Sequence, residues 1–216
     1  MVAIPPGQVT LSDRRTRRTW SVELAPYYLA VFPVTQTLYA QVVGEWPSAV
    51  RGGHLPVESV SWWDAIRFCN AFSRREGLVP AYRIREDVGQ VEWNASAEGY
   101  RLPTEAEWER ACRAGTVGPR YGPIDEIAWY RANSAERMHE VGGKSPNQWG
   151  LCDMLGNVWD WCWDTYDAEV YGAYKVLRGG GWFDEHWSCR ASVRRRSHPN
   201  FQVDDVGFRL ARSARL

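Results

Sequence analysis

Residues Phe183 to Cys189, reading Phe-Asp-Glu-His-Trp-Ser-Cys, place two carboxylates, an imidazole and a thiol within seven positions. One thiolate with hard carboxylates and a single imidazole suits iron(II) or zinc, whereas copper(I) prefers paired soft thiolates. The other histidines, His54, His139 and His198, lie far away in the chain. The plainer alternative is a polar exposed loop around a small buried Cys189. A second constellation is Asp153-Met-Leu-Gly156-Asn-Val158-Trp-Asp160, with carboxylates seven residues apart around a glycine turn. Two side chains and intervening carbonyls can converge there on a hard cation, for which calcium is the natural candidate. Alternatively, Asp153 and Asp160 simply cap turns.

Recognition chemistry is also present. Between Gly179-Gly180-Gly181 and Gly207-Phe208-Arg209 the chain carries Phe183, Trp187 and Phe201 among the polar residues Asp184, Glu185, His186, Arg195 and His198. Rigid aromatics beside adaptable polar groups suit the binding of a protein or small-molecule ligand. Arg190, Arg194, Arg195 and Arg196 could meet phosphate or an acidic partner, but Asp204 and Asp205 oppose them and internal pairing is the stronger expectation. The glycine triplet has no following Lys-Ser/Thr and helix, so it is read as tight packing of a strand turn, not a phosphate loop.

The elements that must position these residues are legible from patterning. Ile4-Pro5-Pro6-Gly7 feeds a strand through Val9 and Leu11, and Trp20 to Leu24 alternates as its hairpin partner. A Thr N-cap after Pro33-Val34 starts a short helix over Thr37 to Val43. Ser61 with Asp64 caps a helix from Trp62 to Arg75, and Thr104 with Glu107 caps another from Glu105 to Arg113, which Gly115 ends. Tyr82–Ile84 and Val91–Trp93 form a hairpin around Gly89. Beyond Gly115 the chain is rich in turn residues, with strands of a few residues and long loops. The fold class expected is α+β, with two main helices.

At 216 residues the chain reads as one domain, 1–216. Lys+Arg and Asp+Glu both total 26, so no global field draws in nucleic acid or an anionic membrane, and neither partner is expected. No window approaches the roughly 20 apolar residues of a membrane span, and the chain is expected to be soluble and cytoplasmic. Thirteen tryptophans are expected mostly in the core, and Cys69, Cys112, Cys152 and Cys162 as inert thiols.

Together, RLPTEAEWERACRAG (Arg101–Gly115), NQWGLCDMLGNVWDWC (Asn147–Cys162) and VLRGGGWFDEHWSCRASVRRRSHPNFQVDDVGFRLA (Val176–Ala211) resemble the formylglycine-generating-enzyme, or sulfatase-modifying-factor, family. The resemblance runs from about Met1 to Arg212 and implies a C-type-lectin-like fold. It implies a structural calcium loop using the side chain of Asp153, the carbonyls of Gly156 and Val158, and the side chain of Asp160. At Asn133, where the family often has a second calcium loop, the following Ser134 to Arg137 lack the fuller acidic set, and an ordinary turn is expected. Secreted members bridge cysteines matching Cys69 and Cys112, but residues such as Leu210 occupy the partner positions here, which favours a reducing compartment. Active members carry two cysteines five residues apart that bind copper and oxidise a substrate cysteine. The matching positions here are Asp184 and Cys189.

The chain also looks like variable proteins of diversity-generating retroelements, whose comparable tail forms a diversified binding surface. Glu185 and Trp187 are not reached from an Asn AAY codon by changing adenines alone, which favours a static surface. The leading expectation is a calcium-stabilised ligand- or protein-binding module that lacks the paired cysteines. The alternative is a copper- or iron-dependent oxidase acting on a peptidyl cysteine or small molecule, with Cys189 catalytic.

Overall fold

The computed structural model describes residues 1–214. After β1 (Val2–Ile4), the hairpin of β2 (Gly7–Asp13) and β3 (Arg18–Leu24) runs in register from Gly7 opposite Leu24 to Asp13 opposite Arg18. Its alternation buries Val9 and Leu11 against Ala106. β4 (Tyr27–Leu29) lies between β1 and the strand β13 (Ala211–Ser213), which ties the two ends of the described chain into one small sheet.

Capping fixes the helix starts. Thr35 accepts from the Leu38 amide to begin α1 (Gln36–Val43). The Ser61–Asp64 and Thr104–Glu107 capping boxes both form, at the heads of α2 (Trp62–Arg75) and α3 (Glu105–Arg113). One end differs from expectation: the left-handed position closing α3 belongs to Ala114, at φ 43°, with Gly115 following at φ 90°. The hairpin β5 (Tyr82–Arg85) and β6 (Gln90–Trp93) turns through Gly89 at φ 60°.

The second half adds the single-turn helix α4 (Ile124–Ile127), the short parallel pair β7 (Ala128–Trp129) and β8 (Leu155–Gly156), β9 (Trp159–Thr165) and the single-turn helix α5 (Ala168–Tyr171). A four-stranded sheet then orders β11 (Arg194–Ser197), β10 (Lys175–Arg178), β9 and β12 (Val206–Gly207), antiparallel except where β12 runs beside β9. Helices and mostly antiparallel strands make the architecture α+β, as expected.

Tryptophan organises the core. Trp62, Trp108, Trp159 and Trp161 are fully buried, and each indole N–H finds an acceptor: Cys162 O at 2.9 Å, Asp160 Oδ2 at 2.8 Å, Asp184 Oδ2 at 2.6 Å and Val60 O at 3.0 Å respectively. All five cysteines are free, and Leu210 packs in the same apolar cluster as Cys69. Among the described residues, no helix is long and apolar enough to cross a membrane.

Candidate binding surface

The segment between the glycine triplet and Gly207-Phe208-Arg209 is clamped at both ends by buried arginines. Arg178, at the end of β10, donates to Glu105 at 3.0 Å, to Glu109, and to the Ala191 carbonyl at 2.5 Å. Arg194 on β11 donates to the other oxygen of Glu105 at 2.9 Å and to Asp13 at 3.3 Å. Arg209 donates through Nε to Asp160 Oδ2 at 2.6 Å and through Nη2 to the Asp153 carbonyl at 2.7 Å. Gly179 and Gly180 adopt φ of 106° and 86°, and a Cβ on Gly180 would lie 2.8 Å from the Cys189 sulfur, so only glycine fits this turn. Sequence reasoning missed Arg178, Arg209, Glu105 and Glu109. Their signal was a charge set among apolar neighbours, as in Val-Leu-Arg and Phe-Arg-Leu.

The frame holds apolar side chains outward. Phe183, Trp187 and Phe201 are 52%, 54% and 55% exposed. Phe183 packs edge-on against Trp182 and under the Arg131 guanidinium, which also meets Glu185 at 3.3 Å. His186 is exposed and stacks edge-on with Trp187. His198 contacts the rings of Tyr174 and Phe201. The eight sequence-predicted residues do not converge on one pocket. Trp187 lines a cleft of about 920 Å³, while His198 lines a separate one of about 390 Å³. They form instead a surface with aromatic lobes.

Arg195 sits within this surface. Its guanidinium lies 3.8 Å from both Asp184 and Asp205 and over the Trp159 ring. Burial pushes the Asp205 carboxyl up to about 6, Arg195 offsets part of this, and Asp184 and Asp204 add repulsion. Of the arginine cluster, Arg194 and Arg195 are internally paired as expected, although Arg194 pairs with Asp13 and Glu105, not with Asp204 or Asp205. Arg196 lies over Tyr171, and among the described residues Arg190 has no ion pair.

The candidate redox pair is divided between core and loop. Asp184 accepts from the Trp159 indole and from the Gly181 amide at 2.9 Å, so it closes the turn. Cys189 is fully buried with Cys112, Leu155 and Ala191, and burial pushes its thiol up to about 12. A neutral thiol sealed in the core is a poor nucleophile. Among the described residues, no group of three or more His, Cys, Asp or Glu is placed to hold a metal, so Asp184, Glu185, His186 and Cys189 do not assemble into a ligand set.

The Asp153–Asp160 loop is buried and strongly curved, with Asp153, Gly156 and Asn157 at φ 50°, 76° and 63°. Asp153 Oδ2 accepts from the Gly142 amide at 2.6 Å, while Asp160 Oδ1 has no hydrogen-bond partner among the described residues. Burial raises both carboxyls, and Asp160 adds repulsion at Asp153. Asn133 is a turn residue: its side chain accepts from the Tyr130 amide and donates to the Ala128 carbonyl.

Residues 1–214 match the sulfatase-modifying factor enzyme 1-like domain, and the chain belongs to that family. It is 32% identical to the chaperone protein LppX of Paenibacillus barcinonensis over 89% of this chain and 82% of that protein. It is 31% identical to the formylglycine-generating enzyme of Streptomyces coelicolor over 91% and 81%. Treponema denticola variable protein 1 superposes with a TM-score of 0.90 at 32% identity, covering 99% of this chain and 95% of that one. The fold is therefore C-type-lectin-like, as the sequence resemblance implied. A chaperone, an enzyme and a variable protein on one scaffold mean that this chain's chemistry must be read from its own surface.

Proposed function

We propose that this chain is a binding module that recognises a protein or small-molecule ligand through residues 182–205. One observation carries the reading: Phe183, Trp187 and Phe201 are each half exposed on a segment whose two ends are pinned by buried arginine networks. Half-exposed aromatics with few rotamers lose little entropy on docking, and a preformed frame lowers the ordering cost further. Glu185, Arg195 and His198 supply polarity around them, while Asp184 shapes the loop from within. The likeness to Treponema denticola variable protein 1 supports a surface-borne role. The buried, protonated Cys189 speaks against the oxidase alternative.

Calcium is proposed as a structural partner of the Asp153–Asp160 loop. Two buried, mutually repelling carboxylates, one with an unpartnered oxygen, fit a divalent cation that accepts oxygen ligands. The ion would be held by the side chains of Asp153 and Asp160 with the carbonyls of Gly156 and Val158, and its role is to neutralise and stiffen the loop. A cytoplasmic setting is also proposed, supported by five cysteines without a disulfide.

The test is selection of displayed peptides against the wild-type protein with counter-selection against a Phe183→Ala, Trp187→Ala, Phe201→Ala variant of unchanged melting temperature. Ligands that bind wild type at least about tenfold more tightly support the reading, since each lost anchor is worth on the order of 1–2 kcal/mol. Ligands that ignore the triple substitution contradict it.

A further inference from the structure

The cleft of about 920 Å³ beside Trp187 lies between the C-terminal segment and the turn joining β2 to β3. That turn reads Asp13-Arg14-Arg15-Thr16-Arg17-Arg18. Six arginines line the cleft, from the turn together with Arg190 and Arg194, and Asp13 is its one acid. The chain as a whole has a formal charge of zero, so this positive wall is local.

Most of that charge is uncommitted. Arg194 is held by Asp13 and Glu105, and Arg15 by Asp167. Arg14, Arg17 and Arg18 are exposed and, with Arg190, form no ion pair among the described residues. The Arg190 Nε is buried and has no hydrogen-bond partner among the described residues. The turn is built to present them: Asp13 Oδ1 accepts from the Arg15 amide at 2.8 Å and the Thr16 amide at 3.3 Å, and Arg17 sits at φ 56°. An arginine kept in the left-handed region costs on the order of 1–2 kcal/mol, which the Asp13 bonds help to hold in place.

From this juxtaposition we infer that the cleft is a second binding site, for an acidic peptide segment of a partner protein. Four free guanidinium groups offer planar forks that match carboxylates bidentately. Trp187, at 54% exposure, and Tyr166 add an apolar wall for a side chain between the acids. A nucleic acid is the poorer fit, because its affinity comes from tracking a backbone along an extended positive surface. The site goes beyond the reading above: it uses the other side of the same segment, through Ser188 to Arg194, and of the three aromatic anchors it shares only Trp187.

The probe is a fluorescein-labelled peptide, Glu-Glu-Asp-Leu-Glu-Glu-Asp-Glu, titrated by anisotropy in low salt against the intact protein. Saturable binding is expected, weakened at least about tenfold in Arg14→Glu, Arg17→Glu, Arg18→Glu and separately in Arg190→Gln, because each bidentate charged pair is worth roughly a factor of ten. Arg83→Glu on β5, an exposed charge change of the same kind, should leave binding intact. The exposed-turn variant should keep the wild-type melting temperature, which separates lost binding from lost folding. Absence of saturable binding, equal binding by the arginine variants, or tighter binding of an eight-nucleotide single strand would each overturn the proposal. A Phe183→Ala, Phe201→Ala double variant leaves every lining residue of the cleft in place and reads the larger surface alone, so either site can fail without the other.

Discussion

The indole nitrogen of Trp159 donates to Oδ2 of Asp184 at 2.6 Å, joining a wholly buried tryptophan of β9 to the loop that carries the exposed aromatics. Asp184 is thereby a tether of the surface to the core. Asp184→Ala should cost about 1–3 kcal/mol in urea denaturation, because a buried donor loses its acceptor. Asp184→Asn should cost less than half as much, since its amide oxygen can still accept. Equal losses in the two variants would show that the bond to Trp159 is not what holds the loop.

Arg178 is wholly buried between Glu105 and Glu109. Arg178→Met leaves Glu109 buried and without that partner, and Arg194 compensates only at Glu105. The expected loss is about 3–5 kcal/mol. Differential scanning calorimetry should show a fall of about 10 °C at this chain length. A change of only 1–2 °C would mean that the network is dispensable.

Two buried carboxyls set a pH dependence. Asp164 and Asp205 are both pushed up to about 6, chiefly by burial. Each binds its proton more tightly folded than unfolded, so its contribution is most favourable near pH 4 and is lost as pH rises through 6. Asp164→Asn should gain on wild type between pH 4 and pH 7, by up to about 3 kcal/mol at 1.4 kcal/mol per pKa unit. Its amide oxygen can still accept from the Glu105 amide. Urea melts across this range read the difference, and parallel curves for the two proteins would contradict it.

Calcium at a hundredfold excess over its dissociation constant should stabilise the protein by about 2.7 kcal/mol. Chelation should reverse the gain, and Asp153→Asn should abolish it. A wild-type melting curve that calcium and chelator leave unmoved would remove calcium from the description.

Cys189 should resist alkylation. With its thiol pushed up to about 12, only ~10⁻⁴ of it is thiolate at pH 8, and the sulfur has no solvent access. Iodoacetamide followed by peptide mass mapping should leave Cys189 unmodified in the folded protein and label it after denaturation. Rapid native labelling would restore the redox reading.

Local signals were read well where the physics is local. The Ser61–Asp64 and Thr104–Glu107 boxes begin their helices at the expected residues because capping is decided within one turn. The exposed aromatics of the tail were legible because glycines and the GFR sequence bracket them. Long-range relations were not legible. The residues that pair Arg178 with Glu105, or Arg209 with Asp160, lie 73 and 49 positions apart, and nothing local reports the partnership. For Cys189 the local sequence offered both a metal ligand beside Asp184, Glu185 and His186 and a small buried thiol, and the fold buries it, with its sulfur close against Gly180.

Hydrogen exchange of the protein with and without a ligand selected against the wild-type surface tests the central claim most directly. Protection concentrated in residues 182–205, with the buried strands β9 and β10 unchanged, is the expected result. Protection confined to other parts of the chain, with 182–205 exchanging as in the free protein, would contradict it.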